Sequence, residues 1–322
     1  MKLSEVGERK LLKEVRRLFP QAPWVEVGIG DDGAVLKPLK EKLVVCSDML
    51  ASSRDLPKGV DLFYLGWKAV ISNLSDLAGM GARPIALLFS LGFPSELERR
   101  EAERVLRGIK EASSLYGVPV VGGDFSGCEE VVVSGTGIGA VKRALLRKGA
   151  SPGDLLALTG EVGKAAAGLE ILRKRKRGYT ELVRSFLQPR ARVKEGRALA
   201  EGGATSAIDL SDGLAQALWR LEEESRVRLV VDSLPLSPLL KEFCEEEGLS
   251  PLDFALYGGE DFELLFTLPP VRWRSVRRML EGMGCQAHLL GRVERGRGVF
   301  LGKEKLPDRG YEHYKTRRQL FL

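Results

Sequence analysis

The stretch that decides the fold covers residues 67–93 and reads WKAVISNLSDLAGMGARPIALLFSLGF. In its first part apolar residues recur at helical spacing, which predicts a helix with Asn73 and Asp76 three residues apart on an adjoining polar face. Gly79 is placed to end this helix. The apolar run at 84–93 then predicts a buried strand. A helix followed by a strand is typical of layered α/β proteins.

The rest of the chain repeats this mixture of short strands and helices. Residues 3–19 predict an amphipathic helix, and Ser95 with Glu98 predicts a capping box that opens another. Further strands are expected at 43–46, 118–121, 131–141, 155–158, 207–208, 229–231, 262–268, 286–290 and 299–301, and a further helix at 164–174. The turn-forming run GASPGD at 149–154 predicts a boundary between two domains, 1–148 and 149–322. The expected fold class is therefore α/β, of the α+β type, in two domains.

Composition limits the possible function classes. The 322 residues are 44% hydrophobic and 29% charged, with a mean hydropathy of −0.09, as in an ordinary soluble globular protein. We expect a cytoplasmic protein that does not enter a membrane, because no apolar signal segment and no apolar run of about 20 residues occurs. Four scattered cysteines and two histidines argue against a zinc ribbon, a redox pair, a disulfide framework and histidine-based catalysis.

Acidic residues gather in short motifs beside glycine or serine, although the net charge is +6. We call these the six acidic motifs: GDDG at 30–33, SD at 47–48, SD at 75–76, GGD at 122–124, DLSDG at 209–213 and GGED at 258–261. Carboxylate oxygens suit Mg²⁺, and small neighbours leave backbone N–H groups open to phosphate oxygens. Several of these acids are expected to follow strand ends and to converge on one crevice. The motifs therefore predict a magnesium and nucleotide site for phosphoryl transfer.

Other nucleotide-binding patterns are incomplete. The run GEVGK at 160–164 lacks the P-loop spacing, and GTGIG at 135–139 lacks the spacing of a dinucleotide-binding loop. The HRD, DFG and VAIK signatures of protein kinases do not occur. The sequence therefore favours another scaffold for ATP, and we interpret the 160–164 run as a turn.

A basic run at 173–177, RKRKR, and a pI near 9.1 raise the alternative of a nucleic-acid-binding module. The run follows a predicted helix and contains no aromatic residue, which favours a solvated helix end. We expect no nucleic-acid partner.

In order and over nearly the full length, the motifs resemble those of the thiamine-monophosphate kinase family. This family belongs to a superfamily with aminoimidazole ribonucleotide synthetase, selenophosphate synthetase and a hydrogenase-maturation protein. The runs NLSDLAGMGA at 73–82 and YGGEDFEL at 257–264 are the specific parts of the resemblance. It implies ATP-dependent conversion of thiamine monophosphate to thiamine diphosphate. It also implies a synthetase-like fold, a homodimer joined through the N-terminal domains in a barrel, and a layered C-terminal domain that completes the active site.

The resemblance also implies a role for individual residues. Positions that match the family's magnesium ligands are Asp31, Cys46 through its carbonyl, Ser47, Asp48, Asp76, Asp124, Asp209 and Asp212. Positions that match nucleotide-binding residues are Gly123, Asp124, Arg147 and Ser211. Asp55, Glu260 and Tyr311 would bind thiamine monophosphate. Cys46 stands where serine is usual, Asp55 where many relatives have histidine, and the 310–314 run GYEHY varies the family's ending.

The chemistry implied by the resemblance needs no general base. The acceptor phosphate has a second pKa of about 6 and is mostly dianionic at neutral pH, so its oxygen can attack the γ-phosphorus directly. Several Mg²⁺ ions and Arg147 would offset the repulsion between the two anions. The main alternative is a synthetase of the same superfamily. However, no cysteine precedes Cys46 for a selenophosphate synthetase, and the chain ends QLFL without the C-terminal cysteine of the hydrogenase-maturation relative.

Overall fold

The computed structural model describes residues 2–6, 14–29 and 33–310. The chain divides into two compact units. Unit 1 comprises Met1–Leu77 and Arg83–Lys142, and unit 2 comprises Ala78–Ala82 and Arg143–Leu322. Asp31 and Tyr311, two of the predicted site residues, lie outside the described residues.

Unit 1 is built on a four-stranded sheet with helices. Its strands are β1 (Val25–Val27), β2 (Val35–Leu36), β3 (Lys42–Ala51), β4 (Arg83–Phe93), β5 (Val120–Gly127) and β6 (Val132–Val141). Its helices are α1 (Leu3–Val6), α2 (Ser52–Asp55), α3 (Phe63–Gly79) and α4 (Arg99–Leu115), and residues 14–18 are also helical. The sheet order is β3-β6-β4-β5, in which only the β4–β5 pair is parallel, while β1 and β2 form a separate hairpin.

The long helix α3 packs closely on this sheet because strand β6 carries glycines at alternate positions. A side-chain carbon at Gly135 would lie 2.4 Å from the Asn73 amide nitrogen, and one at Gly137 would lie 3.3 Å from Leu77. The GTGIG run, which lacks the dinucleotide-binding spacing, therefore forms the surface on which helix α3 packs. Close packing of this kind explains why the glycines alternate with larger residues along the strand.

Unit 2 contains a seven-stranded sheet. Its strands are β7 (Leu155–Thr159), β8 (Ser206–Asp209), β9 (Arg228–Val231), β10 (Leu264–Leu268), β11 (Ala287–Glu294), β12 (Gly298–Leu301) and β13 (Glu304–Lys305). Its helices are α5 (Lys164–Lys174), α6 (Thr180–Leu187), α7 (Val193–Gly202), α8 (Leu214–Ser225), α9 (Pro238–Glu247), α10 (Pro251–Tyr257) and α11 (Trp273–Gly282), with a 3₁₀ turn at Pro270–Arg272. The strand order is β13-β12-β9-β11-β7-β10-β8, and only the β9–β12 pair is parallel.

Apolar residues cover both faces of this sheet. On one face Leu158 and Leu265 share a core with α8, and on the other Ala157 and Phe266 share a core with α7 and α11. Neighbouring strand residues point to opposite faces, so a strand buried on both sides reads as a continuous apolar run. This accounts for the runs LLALT in β7 and LLFTL in β10. The predicted layered α/β architecture is confirmed for this unit.

A separate helical cluster in unit 2 includes the end of the basic run. Lys174 and Lys176 form ion pairs with Glu247 at 2.7 and 2.6 Å, and Lys176 also pairs with Glu246 at 2.9 Å. The Lys176 ammonium group lies 5.5 Å from the centre of the Tyr179 ring. Two of the five cations of the 173–177 run are therefore paired with carboxylates of α9, where a solvated helix end was expected.

Several element boundaries differ from the sequence predictions. Asp48 and Asp124 were expected to follow strand ends, and this is wrong, because β3 and β5 continue through both residues. The capping box at α4 is formed by Glu98 and Glu101 rather than by Ser95 and Glu98. No helix in the described part of the chain has the length and apolar character needed to cross a membrane.

Candidate active site

In unit 1 the register of the sheet fixes the relative positions of Asp48 and Asp124. Asp48 pairs with Gly135, which pairs with Phe89, which pairs with Gly123. The two aspartates therefore lie almost level on the two edge strands. Three strand spacings separate those strands, roughly 14 Å in all. One Mg²⁺ ion has ligand distances of about 2.1 Å, so these two carboxylates of the same chain would serve different ions.

Cys46 and Ser47 differ in what their side chains contact. The Cys46 thiol lies 3.3 Å from the Asn73 carbonyl oxygen, on the face of β3 that meets α3. The Ser47 hydroxyl donates to the Gly135 carbonyl oxygen at 2.9 Å. The thiol of Cys46 is thus engaged with the helix, which is consistent with the expectation that this residue would offer a backbone carbonyl.

Asp76 lies on a helix that is buried almost all round. Between Phe63 and Gly79 only Tyr64, Ser72 and Asp76 are partly exposed to solvent, and the other residues of the helix are buried. Ser72 and Asp76 are four residues apart and so share one narrow stripe of the helix surface. A carboxylate in this position is not part of a generally solvated face.

Asp55 is the last residue of the short helix α2, and both its side chain and its carbonyl oxygen accept hydrogen bonds from the same chain. Its Oδ2 accepts the backbone N–H of Ala51 at 2.7 Å, and its carbonyl oxygen accepts the Nζ of Lys68 at 2.9 Å. Lys68 is buried, with 1% of its surface exposed. Lys68 therefore fixes the backbone at the position predicted to contact thiamine monophosphate. This role of Lys68 was not predicted from the sequence.

Gly123 allows β5 to run very close to β4. A side-chain carbon at this position would lie 1.9 Å from the Phe89 carbonyl oxygen, so only glycine fits. Such exposed backbone beside Asp124 is the arrangement that the predicted nucleotide-binding role requires.

In unit 2 four of the five predicted residues that the structure describes gather at one edge of the sheet: Asp209, Ser211, Asp212 and Glu260. Arg147 lies instead beside the first residues of β8, where the N–H of Ala207 donates to the Leu146 carbonyl. Leu264 pairs with Asp209, and the next residue of β10 pairs with Leu158 of β7. Three loops consequently leave this edge together: 160–163 after β7, 210–213 after β8, and 258–263 before β10. Asp209 is buried at 8% exposure and ends β8, which confirms its predicted position at a strand end.

Asp212 follows in the loop between β8 and α8. Its Oδ2 accepts an N–H of Arg220 at 2.9 Å, and both side chains remain partly exposed. The carbonyl oxygen of Asp212 lies 2.9 Å from where a side-chain carbon of Gly310 would be. Gly310 is the last described residue, and it touches the turn that carries Ser211 and Asp212.

The DLSDG and GGED motifs, which are nearly 50 residues apart in sequence, are joined by backbone hydrogen bonds. The N–H of Glu260 donates to the Ser211 carbonyl at 2.8 Å, and that of Phe262 donates to the Leu210 carbonyl at 2.9 Å. A side-chain carbon at Gly259 would lie 2.4 Å from the Ser211 carbonyl oxygen. The structure thus brings together Ser211 and Glu260, which were predicted to bind the nucleotide and thiamine monophosphate respectively.

Asp261, for which no individual role was predicted, caps helix α5. Its carboxylate accepts the backbone N–H groups of Gly163 at 2.6 Å and Ala165 at 3.1 Å. Removal from bulk water raises the pKa of Asp261 to about 7, although the two N–H groups favour the charged form. The P-loop-like run 160–164 therefore binds a carboxylate of its own chain, and the turn interpretation is confirmed. The signal in the sequence was a glycine-rich turn before a helix, an anion-binding element.

Glu263 lies in the same loop and is held by a buried network. Its carboxylate accepts two N–H groups of Arg192 and the hydroxyl of Thr159, the latter at 2.7 Å. Burial lowers the pKa of Arg192, but the charge and hydrogen bonds of Glu263 outweigh this and raise it overall. Neither partner of Glu263 was identified from the sequence.

Arg147 occupies an exposed loop of unit 2. The Ser225 hydroxyl donates to its carbonyl oxygen at 2.8 Å and accepts the N–H groups of Gly149 and Ala150. The backbone of this loop is therefore fixed, while the guanidinium group is accessible to an anion.

The donor set suits magnesium in chemical terms, because the candidate ligands are carboxylates, one serine hydroxyl and the backbone carbonyl of Cys46, all of them oxygen donors. Over residues 2–6, 14–29 and 33–310, no three His, Cys, Asp or Glu side chains cluster as a complete metal site. Asp31, a further candidate ligand, lies outside these ranges.

Comparison with known proteins relates this arrangement to a family. Residues 30–141 match the family described as AIR synthase related protein, N-terminal domain. A thiamine-monophosphate kinase of Pyrococcus abyssi is 37% identical over 291 residues, which cover 88% of this chain and 90% of that protein. This chain belongs to the thiamine-monophosphate kinase family. The resemblance inferred from the acidic motifs is thereby confirmed.

Solved structures of this family share the fold of most of the chain. The thiamine-monophosphate kinase from Stenotrophomonas maltophilia K279a superposes with a TM-score of 0.84 at 32% identity and covers 92% of this chain and 96% of its own. The complex of AaThiL with AMPPCP and TMP gives a TM-score of 0.80 at 33% identity, covering 98% and 99% respectively. The mixed α/β fold predicted from the sequence is confirmed by these thiamine-monophosphate kinase structures.

Proposed function

We propose that this protein transfers the γ-phosphoryl group of ATP to thiamine monophosphate, forming thiamine diphosphate and ADP. One observation carries the proposal: the fold matches over nearly its full length that of AaThiL, which was captured with AMPPCP and TMP. The thiamine-monophosphate kinases among its relatives support the same activity. The motifs that distinguish this family, NLSDLAGMGA and YGGEDFEL, are both complete in the chain.

The chemistry of the proposed reaction follows from the acceptor. A phosphate oxygen of thiamine monophosphate forms a bond to the γ-phosphorus, and the bond from that phosphorus to the β–γ bridging oxygen breaks as ADP leaves. The acceptor oxygen is already deprotonated at neutral pH, since the second pKa of a phosphate monoester is about 6. The protein therefore has to align two anions and offset their charge, and no side chain is assigned as general base.

We assign the offsetting charge to Arg147 and to bound magnesium. The candidate magnesium ligands are Asp31, Cys46, Ser47, Asp48, Asp76, Asp124, Asp209 and Asp212. When bound, Mg²⁺ ions supply positive charge beside the phosphate oxygens. The nearly level but widely separated positions of Asp48 and Asp124 support more than one ion.

Gly123, Asp124, Arg147 and Ser211 are proposed to bind the nucleotide. Asp55, Glu260 and Tyr311 are proposed to bind thiamine monophosphate. The hydrogen bond from the Glu260 N–H to the Ser211 carbonyl supports placing these two residues, one from each set, next to each other in unit 2. The aromatic ring of Tyr311 would offer a flat surface to an electron-poor thiamine ring.

The decisive experiment incubates the protein with MgATP and thiamine monophosphate and follows both products by chromatography. We expect thiamine diphosphate and ADP in equal amounts. Replacing thiamine monophosphate with unphosphorylated thiamine is the matched control, because it lacks the acceptor phosphate. ADP release without thiamine diphosphate would contradict the proposal.

A homodimer joined through the N-terminal part of the chain is also proposed. Three large apolar side chains on one face of the edge strand β3 are well exposed: Leu43 at 60%, Val45 at 64% and Met49 at 67%. A row of this kind on an edge strand favours association with another copy. In sedimentation equilibrium we expect Val45→Asp to be monomeric, while Val271→Asp, at an isolated exposed position, should remain a dimer. A wild-type monomer would contradict the proposal.

We further propose that 1–148 is the ATP- and magnesium-binding domain, that 149–322 completes the active site, and that the enzyme works in the cytoplasm. The change from unit 1 to unit 2 between Lys142 and Arg143, shortly before the proposed limit, supports a division in this part of the chain.

A further inference from the structure

We propose that Asp261 is a positioning residue for thiamine monophosphate: it fastens the 258–263 loop to the first turn of α5 and thereby holds Glu260 towards the substrate. This inference rests on the proposed function and adds a residue to it. Asp261 itself is not assigned a contact with substrate.

The first observation is the geometry of the carboxylate. Both of its oxygens are used, one by the N–H of Gly163 at 2.6 Å and the other by the N–H of Ala165 at 3.1 Å. These N–H groups belong to the N-terminal end of α5, where unpaired donors and the helix dipole favour an anion. The loop is therefore tied to a helix by charge-assisted bonds at two points.

The second observation is the backbone on either side of Asp261. Glu260 has a φ of 69° and Phe262 a φ of 50°. Both lie in the left-handed region, which residues other than glycine seldom adopt. In the described part of the chain only five non-glycine residues have positive φ, and two of them flank Asp261. Such conformations persist only where the surroundings impose them, and they concentrate at functional sites.

Hydrogen bonds on two sides of the 258–263 loop impose this conformation. The N–H groups of Glu260 and Phe262 are bound to the Ser211 and Leu210 carbonyls, on the side of the loop that faces the DLSDG turn. Asp261, between them, is bound to α5. The loop is thus held from two sides, and loss of the Asp261 bonds would leave Glu260 held from one side only.

The DLSDG turn, which carries the predicted nucleotide-binding residue Ser211, is held by other bonds that do not involve Asp261. The N–H of Leu210 donates to the Glu263 carbonyl at 2.8 Å, and the Glu263 side chain is fixed by Arg192 and Thr159. Loss of the Asp261 cap therefore leaves Glu260 held only through the Ser211 carbonyl, while the DLSDG turn keeps its own bond to Glu263. The KM for thiamine monophosphate should change far more than the KM for MgATP.

A matched control lies at the other end of strand β7. Asp154 is buried, and its Oδ2 accepts the Ser151 N–H at 3.0 Å and the Thr205 hydroxyl at 2.7 Å. The five residues of β7 separate it from the 160–163 loop by roughly 17 Å. Asp154→Asn makes the same chemical change as Asp261→Asn, so it reports what the loss of a structural aspartate does by itself.

The test measures both KM values, kcat and the melting temperature of the wild-type, Asp261→Asn and Asp154→Asn enzymes at about pH 8, where the Asp261 carboxyl is mostly ionised. The amide places an NH₂ group against a backbone N–H and removes one of the two bonds. We expect Asp261→Asn to raise the KM for thiamine monophosphate by about tenfold or more, with the KM for MgATP within about threefold of wild type. Asp154→Asn should leave both values within about threefold.

An unchanged KM for thiamine monophosphate in Asp261→Asn would overturn the inference, and so would an equal rise in Asp154→Asn. Should Asp261→Asn fail to fold, hydrogen exchange of the wild-type enzyme decides. Slow exchange of the amides of residues 163, 165, 260 and 262 before thiamine monophosphate is added supports the inference, and protection that appears only with substrate overturns it. A wild-type protein that makes no thiamine diphosphate removes the proposed function and this inference with it, whereas an active wild type with an unaltered variant removes this inference alone.

Discussion

Arg192 and Glu263 form a two-point ion pair, with Nε to Oε2 at 2.7 Å and Nη2 to Oε1 at 2.5 Å. Only 8% of the Glu263 side chain is exposed, and Thr159 donates a third hydrogen bond to its carboxylate. The pair links the YGGEDFEL run to the residue that precedes α7. Because a buried carboxylate without a cation is costly, the integrity of the loop depends on Arg192.

Removal of this cation should destabilise the protein. Arg192→Met keeps most of the apolar stem and deletes the charge, leaving the Glu263 carboxylate buried without its partner. We expect a loss of about 3–5 kcal/mol in the free energy of unfolding, measured by urea denaturation. The control Arg277→Ala breaks an exposed pair with Glu281 and should cost less than about 0.5 kcal/mol. Equal losses for the two variants would contradict the assignment of a buried, structural pair.

Asp48 and Asp76 are expected to act through magnesium rather than through folding. Asp48→Asn and Asp76→Asn should each lower turnover by on the order of 10² or more, because an amide is a poorer ligand for a hard cation. Steady-state assays combined with melting temperatures check this, with Asp232→Asn on the surface as control. Near-wild-type activity of both variants at limiting Mg²⁺ would rule out the assignment.

Nucleotide binding should depend on the divalent ion. Several aspartates and a polyphosphate carry charge of the same sign and repel each other without cations between them. Calorimetric titration with a non-hydrolysable ATP analogue should therefore give an affinity at least about tenfold lower in EDTA than in Mg²⁺. The same affinity in both buffers would disprove the proposed bridging role of magnesium.

Tyr311 is expected to contribute its ring to the binding of thiamine monophosphate. Tyr311→Ala should raise the KM for thiamine monophosphate severalfold more than the KM for ATP, since stacking on an electron-poor ring is lost. Tyr311→Phe retains the ring and serves as the matched control, with values close to wild type. If the alanine variant leaves the KM for thiamine monophosphate unchanged, Tyr311 does not belong to the pocket.

Cys128, Cys244 and Cys285 should differ in reactivity. Cys128 is exposed, whereas Cys244 and Cys285 are buried, and burial raises the pKa of both thiols to about 11. The thiolate is the reactive species, and a pKa above the ordinary value lowers its fraction at any pH below about 11. In a DTNB assay at about pH 8 we expect Cys128 to react fast and the two buried thiols to react only after denaturation. Cys128→Ser should abolish the fast phase, and a fast phase that persists would contradict this prediction.

The spacing of apolar residues along the chain correctly predicted the helices and strands whose buried side chains recur at a regular interval. Helix α3, strand β4 and helix α5 were found close to their structural positions because each has an uninterrupted apolar repeat. The predictions stopped too early at Asp48 and Asp124, where the residues are acidic or small. Both strands continue there because they pair with β6 and β4, and strand formation depends on such pairing more than on intrinsic preference.

The amino-acid sequence alone determined the order and spacing of the acidic motifs, and with them the family, because those motifs depend on residue type at fixed positions along the chain. Three contacts were decided by the tertiary structure alone. Asp261 caps α5, Glu263 binds Arg192, which is 71 residues away in the sequence, and the N–H of Glu260 donates to the Ser211 carbonyl. These partners meet because the antiparallel register of β7, β10 and β8 brings three distant loops to one sheet edge. No local pattern encodes which side chains will face each other across that edge.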